Sequence, residues 1–154
     1  MPVRTFLLLA LVLADGMATS SHPAKAAADD NKEPSAELKV KIIVPKTVAS
    51  FKGRTLEVRL FKYDPLIADK AADQVDLYEE KNFSHTQGSD TIKEFRLGEK
   101  AKLEERRSYY VTLYIVDGKE RTHIGECEHA KGFAKVLTNG QPNTIKATFR
   151  ELKK

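Results

Sequence analysis

The segment from Tyr109 to Ile124 constrains this chain more than any other. It reads Tyr-Tyr-Val-Thr-Leu-Tyr-Ile-Val, then Asp117-Gly118, then Lys-Glu-Arg-Thr-His-Ile. Tyr109, Val111, Leu113 and Ile115 recur at a period of two and make one unbroken apolar face. Tyr110, Thr112, Tyr114 and Val116 make a second, mixed face. β-Branched and aromatic side chains fit a pleated surface, so the segment reads as a strand central to its sheet. Asp-Gly accepts positive φ at both central positions of a tight turn, which predicts a hairpin here. A chain organised around such a hairpin belongs to the all-β class.

The same alternation recurs on both sides. Leu38, Val40, Ile42 and Val44 give a first strand, which Pro45 ends because it offers no donor to a ladder. Leu56, Val58 and Leu60 alternate with Glu57, Arg59 and Phe61 in a second. Val75 to His85 is a weaker strand whose period breaks at Glu79 and Lys81, which suits a sheet edge. Thr91 to Leu97 is another. Val136-Leu137-Thr138 is short and apolar, the Asn139-Gly140-Gln141-Pro142 run is a turn, and Thr144 to Arg150 closes the series. Between the second strand and the weak one, Asp64-Pro65 resembles a helix start, and the Ala- and Lys-rich run to Asp73 predicts one short helical crossover. About seven strands with turn-punctuated spacing favour a single antiparallel β-sandwich, immunoglobulin-like or transthyretin-like.

Arg4 precedes an apolar run from Phe6 to Ala14, and small residues follow. That is the pattern of a signal peptide. The run is shorter than the roughly 20 residues that span a bilayer, so no stable membrane anchor is expected after cleavage. The expected organisation is a signal peptide and leader over 1–28, a disordered linker over 29–36, and the β domain over 37–154. Loss of 1–28 removes two of the 26 basic and one of the 22 acidic side chains, leaving a net charge of +3. The charges alternate in sign, with no basic block, so nucleic acid is not an expected partner. The one cysteine, Cys127, permits no intrachain disulfide, although the expected compartment, periplasmic or extracellular, would allow one.

Four short segments carry a family resemblance: Leu56-Glu57-Val58-Arg59-Leu60, Phe95-Arg96-Leu97, Tyr110 to Gly118, and Val136-Leu137-Thr138-Asn139-Gly140-Gln141-Pro142. In this order they resemble the YbaY/YscW family of exported β-sandwich proteins, whose secretion-system members act as pilotin-like chaperones of a secretin. The likeness runs from Leu38 to Phe149. It implies the fold, an envelope location and no catalytic residues. The family's best-known members are acylated on a cysteine that this chain lacks, so the resemblance does not extend to a lipid anchor.

Few residues carry chemistry of their own. His123, Cys127 and His129 are the only cluster of soft metal ligands, and they share strand parity, a pattern that suits zinc or copper. Against that, Ile124 is expected to face the core, which puts His123 outside, and Gly125 is placed to break the strand before Cys127. Tyr110 and Tyr114 lie two apart on the mixed face and could stack on a sugar or anchor a partner, unless a second sheet or the crossover covers them. Ser84, His85 and Asp90 do not make a nucleophile and its base, because adjacent strand residues point to opposite faces. The expectation is a non-enzymatic envelope protein without a cofactor. It would bind another envelope protein by a sheet edge or a face, Val75–Phe83 and the closing strand being the edges. The alternative is a carbohydrate- or metal-binding module.

Overall fold

A computed structural model describes residues 35–67, 69–128, 130 and 133–153. The expected leader, and the linker up to residue 34, lie outside them. So does His129. Ser35 already bridges to Lys102, and the buried Ala36 donates its N–H to the Ala101 carbonyl at 2.8 Å.

Eight strands follow: β1 (Leu38–Val44), β2 (Phe51–Tyr63), β3 (Asp73–His85), β4 (Thr91–Leu97), β5 (Ser108–Asp117), β6 (Glu120–Cys127), β7 (Ala134–Val136) and β8 (Thr144–Glu151). They form one sheet in the order β3-β2-β5-β6-β8-β1-β4, and β7 pairs with β5. The ladders are antiparallel except β1 with β8, which is parallel. The sheet curls into a nearly closed barrel, not the expected two-sheet sandwich. Two pairings make the difference: β6 lies along β8 from His123↔Glu151 to Cys127↔Ala147, and β8 lies along β1 from Lys39↔Thr144 to Ile43↔Thr148. They join what would otherwise be two sheets. Sandwich and barrel both bury one side of every strand, so alternation does not distinguish them.

The inward side is mostly apolar, with His85 and His123 the buried polar side chains among the described residues. Leu38, Val40, Ile42 and Val44 of β1, Leu56, Val58 and Leu60 of β2, and Tyr109, Val111, Leu113 and Ile115 of β5 are all buried in one core. Full burial of such a side chain contributes roughly 1.5–3 kcal/mol each, which suffices without disulfides. Gly125 lets β6 lie close over the core, since a Cβ there would come within 2.7 Å of the Leu113 Cβ.

Three further expectations need correction. No helix occurs among the described residues. Asp64 does cap, its carboxylate accepting the Leu66 N–H at 3.0 Å, but the chain makes a turn and enters β3 at Asp73. The closing strand β8 is internal, paired on both sides; the strands that end the sheet are β3 and β4. In the central hairpin Asp117 pairs with Glu120, so the two-residue loop is Gly118-Lys119, and Gly118 alone takes positive φ.

Candidate functional site

β5 is paired with β2 from Ser108 to Val116, and its other edge is shared between β6 and β7. It therefore presents its mixed face rigidly at the centre of the sheet's outer surface. Antiparallel register sets Phe61 opposite Tyr110, and Tyr110 opposite Lys135. The Tyr110 ring stacks on Phe61 with centroids 5.1 Å apart and 16° between planes. Tyr63 packs against it at 5.8 Å and Phe133 at 5.1 Å, both tilted. Among the described residues no second sheet lies over this cluster, and Phe133 is 66% exposed. Burial among these rings, with Tyr63 adjacent, holds the Tyr110 hydroxyl above its ordinary pKa, so it remains a neutral donor.

Tyr114 is on the same face, beyond Thr112, and takes a different neighbour. The Arg121 guanidinium lies over its ring at 4.1 Å, a cation–π contact. The two tyrosines expected to act as a pair thus belong to separate environments. A sugar stacks on an open ring face. Here Tyr110 is hemmed in by three rings and Tyr114 is covered by a guanidinium, while the phenyl of Phe133 remains exposed. Phe61, Tyr63 and Phe133 were not among the residues expected from sequence. Phe61 shares the outward parity of Glu57 and Arg59, and that was the available signal.

His123 is placed differently from expectation. It is 2% exposed and faces the core, while Ile124 faces outward. The cause is a register shift: Val116 pairs with Arg121, but Ile115 pairs with His123, so Thr122 is an extra residue in β6. One inserted residue exchanges inside and outside for every later side chain. The hydrogen bonds fix the His123 tautomer. The Thr122 hydroxyl donates to the Ile115 carbonyl at 3.0 Å, so its oxygen accepts from His123 Nδ1–H at 2.9 Å and from Arg54 Nη1–H at 3.3 Å. Nε2 is left as an unpartnered buried acceptor, 3.9 Å from the Glu151 carboxylate. Burial first, and the nearby Arg54 second, lower the His123 pKa.

Cys127 shares the inward parity of His123 but lies four positions further along β6, roughly 13 Å away. That is too far for both to reach one ion at bond lengths near 2 Å. The thiol borders a cleft of about 320 Å³ between β7 and β8, and burial pushes its pKa to about 11, so it stays a thiol. Among the described residues no three His, Cys, Asp or Glu side chains converge as a metal would require. His85 is likewise structural: buried, with Nδ1 at 2.9 Å from Thr91 Oγ1 and Nε2 at 3.2 Å from the Val48 carbonyl.

The fold is similar to that of an alternative pilotin from the type II secretion system of Vibrio cholerae. The TM-score is 0.52 at 13% sequence identity, and the match covers 77% of this chain and 97% of the pilotin. At that identity the likeness concerns the fold. No protein-family model matches the chain, and no curated protein matches it. Among the described residues no helix is long and apolar enough to cross a membrane.

Proposed function

We propose that this chain is an exported, non-enzymatic accessory protein of the cell envelope that binds another polypeptide during assembly, as a pilotin-like module. The observation that carries the reading is the fold, which reproduces nearly the full length of a pilotin. The leader pattern at 1–28 and the YbaY/YscW-like segments point the same way. The outer surface supports a protein partner over a sugar. An aromatic cluster on a rigid sheet with an exposed phenyl at its rim is the composition of a protein-binding hot spot.

The test is recovery of a partner from the envelope fraction of the protein's own cells, using the wild-type chain and a Tyr110→Ser/Phe133→Ser variant. The expected result is one specific envelope polypeptide with the wild type and at least tenfold less with the variant, whose circular dichroism and melting are near normal. Recovery of no specific polypeptide by the wild type would end the reading.

A further inference from the structure

The sheet's two terminal strands, β3 and β4, are consecutive in the chain and face each other across a seam that no ladder closes. What spans this seam is a row of side chains. Asp76 accepts the Gly98 N–H at 2.6 Å, the Tyr78 ring stacks on Phe95 at 3.9 Å and 7°, and Glu80 pairs with Lys93. Residues 76, 78 and 80 point the same way along β3, opposite the buried Leu60, Val58 and Leu56 of β2, so the row is a side-chain zipper that closes the seam from the inner side of the sheet.

A paired strand uses one edge for its neighbour and leaves the other edge's N–H and C=O groups to find partners. β4 lies on β1 from Leu38↔Leu97 to Val44↔Thr91 with no register shift, so its seam edge is straight and regular. β3 is irregular. Its ladder with β2 is interrupted three times, and Asn82 takes a φ of 60°. Such irregularity, with Glu79 and Lys81 alongside, protects an edge from pairing. The seam also carries uncovered apolar surface: Leu77 of β3 is 39% exposed and Ile92 of β4 is 53% exposed.

We propose that the seam edge of β4 accepts an extended segment of a partner polypeptide, which adds a strand to the sheet and displaces the Tyr78–Phe95 stack. This rests on the polypeptide-binding reading above and assigns it a mode. The chemistry specifies the occupant. Unpaired backbone groups call for another backbone in extended conformation. The flanking Leu77 and Ile92 call for β-branched or aromatic side chains on the added strand's outward side.

The full chain is tested with a defined probe, an acetylated and amidated nine-residue peptide of alternating valine and threonine with lysine at each end. At saturating peptide, amide exchange measured by NMR should slow at least tenfold at alternate residues of Thr91–Leu97. Of two analogues N-methylated at alternate residues in opposite registers, one should lose this protection and the other keep it, because only one set of amides faces β4. Tyr78→Ala, which removes the competing ring, should tighten peptide binding several-fold. No slowing with the parent peptide, equal behaviour of the two analogues, or protection elsewhere than β4 would overturn the proposal. Should strand addition fail while the envelope partner is still recovered through Tyr110 and Phe133, the broader reading stands and the mode does not.

Discussion

The β5–β6 and β3–β4 hairpins are built from the same parts and closed by different means. Each joins consecutive antiparallel strands, and each carries a histidine that packs against the ring of Phe51, His123 at 5.2 Å and His85 at 5.7 Å. In the first hairpin the backbones pair, and the side chains beneath them are buried. In the second the backbones share no ladder, and half-exposed side chains bridge them. Where a ladder exists, side chains are free to serve the core. Where it is missing, they occupy the gap, and the backbone keeps its capacity to bond.

This contrast can be broken at both hairpins, and the largest effect belongs to the closed one. Leu113 is buried and lies against Gly125 of β6. Leu113→Ala should cost about 2–5 kcal/mol of unfolding free energy, read by urea denaturation. A loss under about 1 kcal/mol would mean that the two hairpins contribute alike. At the seam, a double-mutant cycle on Tyr78→Ala and Phe95→Ala should return a coupling of about 0.5–1.5 kcal/mol, the size expected of an aromatic pair. Zero coupling would show that the stack does not hold the seam.

The third effect is a slope with pH. His123 has a lowered pKa in the folded state, so the unfolded chain takes up its proton first as pH falls. The stability contributed by the neutral ring is complete above about 6.5, the ordinary histidine value, and is lost progressively below it. His123→Leu should flatten the dependence of urea midpoint on pH between about 5 and 7. An unchanged slope would assign the acid sensitivity to other groups.

Period-two alternation carried most of the fold. β1, β4 and the central hairpin fall where Leu38–Val44, Thr91–Leu97 and Tyr109–Ile124 read as strands, and charged Glu79 and Lys81 placed β3 at an edge. Alternation reports that a strand has an inside, not which strand lies beside it. The union of β6, β8 and β1 into one sheet was therefore illegible. The inversion of His123 was illegible for a related reason: a bulge at Thr122 is set by pairing geometry and leaves no residue signature. The Asp64-Pro65 start was real as a cap, but the few residues before β3 hold no apolar stripe that a helix could bury. Tyr110 was rightly placed on the mixed face. Its partners come from two separated segments, and only register brings Phe61 and Tyr63 of β2 and Phe133 to it.

The parallel pairing of β1 with β8 also has a bearing on time. It is the most non-local ladder in the domain, and β1 has only β4 beside it until β8 arrives. A chain emerging N-terminus first, from a ribosome or through a membrane pore, cannot complete this barrel until nearly its last strand is out. Contacts of such long sequence separation form slowly, because loop closure must precede the bonds that reward it. A fold that closes with β8 delays its own completion until that strand has emerged.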